Sequence, residues 1–329
     1  MSEARHPPPP AVLDGAAALR ALRTMWRIRL FEERVGQLKR ADEVHGLIHL
    51  SVGQEGVAAG VCLQLRDDDA VYSGHRAHGH AIATGAPLER TLAELMGRAD
   101  GLCRGLGGSM HLVDAACGFM GATGVVGGTV PMALGSALAA RHRGSDAVAV
   151  VFFGDGAVQA GHFNETVNLA ALWALPLILV CENNGFAEFT PRSAHTTVER
   201  VSDVVAPYGV DRETVDGNDV VAVWAAFARF LAAGRAGRGP MLLECLTHRL
   251  RGHYEGDPAK YREVLAKDDW QQKDPILRLQ RRGTGAGWFS GDDAAAAERD
   301  AAAAVEDAVA FARASPFPPP DLVEGLVYA

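Results

Sequence analysis

The segment Ala147–Phe186 reads AVAVVFFGDGAVQAGHFNETVNLAALWALPLILVCENNGF. It opens with an unbroken apolar run, Ala147 to Phe153, rich in Val and Phe, which is the pattern of a strand buried on both faces of a parallel sheet. Gly154, Asp155 and Gly156 stop that run. From His162 to Trp173 the apolar residues Phe163, Val167, Ala170, Ala171 and Trp173 keep a helical spacing. Leu177–Cys181 is a second buried strand, closing on Glu182, Asn183 and Asn184. Strand, helix and strand in this order make a βαβ unit. Asp155 and Asn184 then stand at the carboxyl ends of neighbouring parallel strands, where open sheets bind ligands.

The chemistry of that pair points to a metal holding a phosphate. A carboxylate with an amide oxygen suits zinc poorly and magnesium well, because magnesium takes few protein oxygens and completes its octahedron with phosphate and water. Gly154 and Gly156 let the backbone come close to an anion, and the following helix turns its N-terminus towards the charge. Taken singly, GDG and NN are ordinary turn sequences. What carries the signal is their pairing, with 26 residues between Gly156 and Asn183. A magnesium-nucleotide protein is disfavoured, since no G-x-x-x-x-G-K-[ST] motif is present.

GDG followed by NN at this distance resembles the motif of thiamine diphosphate enzymes. The resemblance implies that Asp155 and Asn184 are side-chain ligands of Mg2+, that the backbone carbonyl of Phe186 completes the protein's share, and that Gly156 and Ala157 lie against the diphosphate. Gly46–Leu65, GLIHLSVGQEGVAAGVCLQL, resembles the G-x-x-H-L-x-x-G-Q-E segment of the alpha subunits of the first component of 2-oxo acid dehydrogenase complexes. That likeness puts His49 near the substrate channel.

Asp69–Gly79, DAVYSGHRAHG, delivers His75, Arg76 and His78 at a strand end. His80 adds a further imidazole and raises a zinc reading, but no Cys or acidic partner follows at ligand spacing. Arg76 suits diphosphate oxygens better, its planar guanidinium matching them. The family usually has Tyr where His75 stands, so that contact has altered chemistry here. Two glycine-dense stretches follow, GLCRGLGGSMH at Gly101–His111 and GFMGATGVVGG at Gly118–Gly128. They resemble the family's loops around the aminopyrimidine pocket, with Gly124 and Val126 contacting it through the main chain and Ser109 and His111 close by.

Thr247–Arg262, THRLRGHYEGDPAKYR, follows a strand at Pro240–Leu246. GHYEGDP resembles the family's G-H-S/Y-x-x-D-P loop, which orders over bound cofactor and carries an active-site histidine, here His253. A histidine near neutral pKa can donate to a diphosphate or an oxyanion and pass protons. Animal pyruvate enzymes have a regulatory Ser beside this His, and Tyr254 stands there instead. The catalytic set implied is therefore His49, His78 and His253, with His75 and Arg76 on the diphosphate.

Composition agrees with a large α/β enzyme subunit. The chain has 329 residues, 48% of them hydrophobic, enough for a substantial core. A formal net charge of -8 argues against a generic nucleic-acid or anionic-membrane surface. Five cysteines with no C-x-x-C pair read as reduced residues of a cytoplasmic protein. The opening MSEARHPPPPAVLDG lacks a secretory pattern and reads as a flexible arm over 1–15. The longest apolar run, Leu169 to Cys181, has 13 residues with Pro176 inside, too short to span a bilayer.

Helices are expected over Ala16–Lys39, Leu88–Arg98, Pro131–His142, Val220–Ala233, Trp270–Arg282 and Ala294–Ala314, with an edge-strand region at Asp203–Asp216. Ala187–Val201 reads as a surface loop, in which AEFTP resembles the acetoin branch more than the pyruvate branch. On the resemblance, residues 16–314 are expected to form one domain with an α/β thiamine diphosphate-binding fold, a mainly parallel sheet with helices on both faces. Residues 315–329 form an extended tail.

The resemblance implies the alpha subunit of a thiamine diphosphate-dependent dehydrogenase, of pyruvate or acetoin type. Such an enzyme cleaves its substrate with the cofactor as electron sink and passes the acyl unit to a lipoyl group of an acyltransferase second component. The chain contains only a diphosphate-binding half, so a beta subunit is expected in an α2β2 assembly. A split transketolase-like subunit would lack the HLSVGQE and GHYEGDP segments. A scaffold that had lost activity would have lost Asp155, Asn184 or His253. A branched-chain 2-oxo acid substrate stays open, because the partner shares the substrate pocket.

Overall fold

A computed structural model describes residues 12–262 and 267–327 of the chain. Most of the expected N-terminal arm, 1–11, and the last residues of the tail, 328–329, lie outside them. The strands are β1 Ala70–Ser73, β2 Phe119–Ala122, β3 Ala149–Gly154, β4 Leu177–Asn183, β5 Phe186–Ala187, β6 Thr190–Pro191, β7 Asp211–Asp216 and β8 Met241–Leu246. The helices are α1 Gly15–Arg40, α2 Glu55–Cys62, α3 His78–Thr84, α4 Leu88–Leu95, α5 Thr129–His142, α6 Gly161–Leu172, α7 Arg192–His195, α8 Val201–Val204, α9 Val220–Arg235, α10 Lys267–Lys273, α11 Pro275–Gly285, α12 Gly291–Ala314 and α13 Glu324–Val327.

Six strands form a wholly parallel sheet in the order β2-β1-β3-β4-β8-β7. Side chains alternate across it, as strand geometry requires. Val150 and Phe152 of β3 with Ile178 and Val180 of β4 join one apolar cluster, while Val151, Phe153, Leu177 and Leu179 join the other. Helices cover both faces, so β3 and β4 are apolar up to their carboxyl ends, where Gly154 and then Glu182 and Asn183 stand. The chain steps from β1 outward to β2, then returns to lay β3 on the opposite side of β1. Connections leave in opposite directions at that point, opening a crevice at the carboxyl ends of β1 and β3.

Local chemistry explains the element boundaries. Asp14 caps α1, accepting from Ala17 N–H at 2.8 Å. The helix buries Leu22, Met25, Ile28, Phe31, Val35 and Leu38. Leu13, just before it, is buried in the same packing. The single helix expected at Trp270–Arg282 is divided at Asp274–Pro275. Pro275 has no N–H to give, and the Asp274 carboxylate caps Ile276 N–H at 2.9 Å. Ser290 and Asp293 form a capping box that begins α12 at Gly291, ahead of the expected Ala294. The tail expected to be extended contains a turn of 3-10 helix at Pro320–Leu322 and then α13.

The first glycine-dense stretch is held from within. Glu94 of α4 is fully buried, and its carboxylate accepts the backbone N–H groups of Cys103 (2.7 Å), Gly105 (2.8 Å), Gly107 (2.7 Å) and Gly108 (3.0 Å). Gly105 has φ +77°, and a Cβ there would lie 2.6 Å from the Gly97 carbonyl carbon. This glycine-dense segment is thus wound around one anion. Replacing Glu94 with Ala strands those donors, and the expected cost is roughly 4 kcal/mol. Denaturant unfolding measures it, with new proteolytic cleavage within residues 101–111 as the local sign. An unchanged unfolding midpoint would show that the carboxylate is dispensable.

Candidate active site

A cavity of about 530 Å³ lies at the carboxyl ends of β1, β3, β4 and β8. Among its lining residues are His49, His75, Arg76, Gly124, Val126, Gly156, Ala157, Asn184, Phe186 and His253, which the sequence singled out in five separate segments.

Asp155 lies beneath the cavity, between the lining residues Gly154 and Gly156. It is 0% exposed, and neither carboxylate oxygen has a hydrogen-bond partner among the described residues. Burial pushes its pKa up. A buried, unpaired carboxylate is costly unless a cation meets it. Of the asparagine pair, Asn183 donates to Glu244 Oε1 at 2.7 Å and braces the turn, whereas Asn184 lines the cavity. Asn184 Oδ1 accepts Phe186 N–H at 3.3 Å. Glu244 also accepts Val201 and Ser202 N–H, each at 3.0 Å, fixing the β4 end to α8. An acid with an amide oxygen beside it fits a hard cation.

The sequence expected α6 to direct its N-terminus at the anion. A 3-10 turn at Asp155–Gln159 comes first instead, and α6 begins only at Gly161. Gly154 has open space around it. A Cβ on Gly156 would lie 2.7 Å from that of Ala187, so this glycine admits the β5 loop closely. His195 of α7, read as part of a surface loop, brings Nε2 to 3.8 Å from Asp155 Oδ2.

One wall of the cavity is cationic. Arg76 is buried and donates to Leu50 O at 2.8 Å and His253 O at 2.6 Å. Burial, with the Arg249 charge, brings it down to about 9. Arg249 is likewise pushed down by burial, although Tyr261 opposes this. Two guanidiniums crowded into one cavity favour an anion between them. The His253 loop is shaped by Asp257, which accepts His253 N–H at 2.6 Å and Tyr261 Oη–H at 2.7 Å.

His49, His75 and His253 meet over this wall, with ring centroids 4.6 to 5.4 Å apart. Burial and the Arg76 charge hold His49 down to about 3 and His75 to about 2, and with Arg249 they hold His253 to about 4. The rings are neutral at pH 7 in the folded chain, whereas the unfolded chain takes up their protons near 6.5. Stability is therefore full above about pH 6.5 and falls as the pH drops towards 4. Thermal unfolding of the cofactor-free chain across that window measures the loss, expected to be smaller in His75→Gln. A flat profile would contradict the buried cluster.

His78 and Ser109 do not line the cavity. His78 is fully buried, with Nδ1 2.8 Å from Glu32 Oε2 and Nε2 2.8 Å from Ser109 Oγ. This relay ties α1, α3 and the first glycine loop together. His111 is exposed, its Nδ1 3.3 Å from Gly107 O. Several cavity residues were not assigned from sequence. Glu182 lies 3.4 Å from His80 Nε2, and His80 stacks on Phe152 at 3.8 Å. Gln54 lines the cavity with neither amide atom partnered among the described residues. Gln54 and Glu182 sat inside quoted motifs, so their neighbours were the available signal.

No helix among the described residues is long and apolar enough to cross a membrane. The chain matches the dehydrogenase E1 component family over residues 23–321. It is 41% identical over 305 residues to the alpha subunit of acetoin:2,6-dichlorophenolindophenol oxidoreductase of Bacillus subtilis (strain 168), covering 92% of this chain and 90% of the relative. The pyruvate dehydrogenase E1 component subunit alpha of Rhizobium meliloti (strain 1021) is 41% identical over 304 residues, covering 91% and 86%. With a family match along nearly the whole fold and a cavity at the sheet's switch point, this chain belongs to the dehydrogenase E1 components, as an alpha-type oxidoreductase subunit.

Proposed function

We propose that the cavity binds thiamine diphosphate with Mg2+, and that the chain, with a beta subunit in an α2β2 assembly, cleaves acetoin or a 2-oxo acid such as pyruvate. The acyl unit then passes to a lipoyl group of a second component. The observation that carries this reading is the buried Asp155 carboxylate, with no hydrogen bond among the described residues and only His195 at 3.8 Å, beneath a cavity lined by two guanidiniums. When bound, thiamine diphosphate supplies an electron sink for breaking a bond to a carbonyl carbon.

The protein's own residues hold and orient. Asp155, the Asn184 amide oxygen and the Phe186 carbonyl ligate Mg2+. Arg76 and Arg249 balance the diphosphate charge, with Gly156 and Ala157 against it. Gly124 and Val126 offer their main chain to the aminopyrimidine. His253, neutral at pH 7, accepts or donates a proton at the reacting oxygen, and His49 lies beside it. His75, where a tyrosine is usual, turns an imidazole towards the same space. His78 supports the site through Glu32 and Ser109. A reducing, cytoplasmic setting suits the five free cysteines.

A partner is supported by the unfinished wall. Leu47 and Val126 line the cavity yet remain 57% and 55% exposed. Apolar side chains at the mouth of a binding site favour cover by another chain. Substrate choice is balanced, because acetoin-named and pyruvate-named relatives both stand at 41% identity. AEFTP in the β5–β6 hairpin leans towards acetoin.

The test is dye reduction with thiamine diphosphate and Mg2+, offering acetoin, pyruvate and a branched-chain 2-oxo acid to the chain alone and with its beta partner. Activity is expected only with the partner, and the preferred substrate names the branch. Cofactor binding without turnover of any of them would overturn the substrate class. Full activity of the isolated chain would overturn the shared site.

A further inference from the structure

His49, His75 and His253 reach the cavity from three separate segments, and one ligating nitrogen from each lies within 4.8 Å of the others. His49 stands edge-on to both partners, at 68° and 76°, so the rings converge instead of stacking. It is only 5% exposed, and its Nδ1 has no hydrogen-bond partner among the described residues. Nothing in the Asp155 and Asn184 chemistry uses this cluster as a ligand set.

We propose that His49, His75 and His253 form a second metal site, which binds a divalent transition ion such as zinc through three imidazole nitrogens and leaves the fourth position open to the cavity. The donor set decides the ion class. Magnesium and calcium choose oxygen, whereas an all-imidazole set suits zinc, cobalt, nickel or copper. A tetrahedral zinc with bonds of about 2.0–2.1 Å holds its nitrogens roughly 3.3 Å apart, so the cluster closes by about 1.5 Å at its widest. His75 and His253 are only partly buried, and rotation about their side-chain bonds makes that change.

The surrounding charges shape the site. Arg76 and Arg249 contact His253 Nδ1 at 3.3 and 3.4 Å, which leaves Nε2 as its ligating atom. Two fixed positive charges weaken cation binding and favour an anion, chloride or hydroxide, in the fourth position. A bound ion occupies space between His253 and His49 that the cofactor needs, so zinc opposes cofactor loading. That consequence rests on the function proposed above, and the binding itself does not.

The experiment uses the tag-free full chain, stripped with chelator and free of cofactor. It is titrated with Zn2+ by calorimetry and with Co2+ by visible absorption. One equivalent is expected to bind, with the intense visible bands of low-coordinate cobalt. His49→Gln and His75→Gln are each expected to weaken it at least about 10-fold, while His142→Gln, an exposed ring at the end of α5, leaves it unchanged. Circular dichroism and the unfolding midpoint establish that each variant is folded. Absence of the equivalent, a weak octahedral cobalt spectrum, or wild-type affinity in a folded His75→Gln would overturn the site. Adding thiamine diphosphate with Mg2+ is expected to release the zinc. Zinc retained while the cofactor binds would overturn the competition. If zinc binds but the cofactor does not, the functional reading fails and the metal site stands.

Discussion

Asp155→Ala is expected to lower thiamine diphosphate affinity by more than about 100-fold in the presence of Mg2+, while leaving the cofactor-free chain as stable as the parent or more so. The two effects have opposite signs for one reason. The carboxylate is buried without a hydrogen bond, and burial raises its pKa. An acid with a raised folded-state pKa costs stability once the pH exceeds its unfolded value near 3.9. The cost grows as the pH rises from that value towards the folded-state pKa, and removing the group relieves it. A bound cation reverses the balance, because it repays the desolvated charge. Calorimetric titration of cofactor against the variant, with thermal unfolding with and without Mg2+, separates the two. Retained cofactor affinity would defeat the metal assignment. A large loss of apo stability would mean that Asp155 has a structural partner. Asp155→Asn, which keeps the shape and one oxygen, is expected to fall between the two in affinity.

Much of this site was legible because the sheet's own logic exposes it. The apolar runs that became β3 and β4 are followed at once by GDG and ENN, so hydrophobic pattern alone put Asp155 and Asn184 side by side. Where the outcome differed, the deciding contact was distant in sequence. Glu94 collects N–H groups up to 14 residues away, and no local pattern marks a helical glutamate as the anchor of a glycine loop. β2 hid for a similar reason. Phe119–Ala122 is four residues long, flanked by glycines, and becomes a strand by pairing with β1. His78 stood among candidate ligands two residues from Arg76, yet helix α3 turns it to Glu32, 46 residues back. Adjacent residues on a helix face different ways, and spacing without a partner does not say which faces the cavity. The family resemblance brought His49, His75 and His253 to one site, but their ring-to-ring contacts were not legible, since 177 residues separate Arg76 from the loop it anchors.

His253→Ala is expected to cut turnover with the beta partner by about 100- to 1,000-fold and to weaken cofactor binding only a few-fold. The asymmetry follows from what the ring touches. Arg76 and Arg249 both approach Nδ1, while Asp257 holds the backbone N–H, so the loop keeps its shape without the imidazole. The ring is held neutral by burial and those two guanidiniums, down to about 4. Neutralising them with a bound diphosphate removes much of that repulsion and moves the ring's pKa up towards the range where it exchanges protons. His253→Gln separates the two roles, because an amide oxygen can still accept from Arg76 or Arg249 but cannot take up a proton. Turnover as low in Gln as in Ala, with near-normal cofactor affinity and loss of the acidic limb of the pH-rate profile, is the expected signature of proton transfer. Wild-type turnover in either variant would remove His253 from the chemistry. Recovery in Gln alone would make it a positioning residue for the guanidiniums.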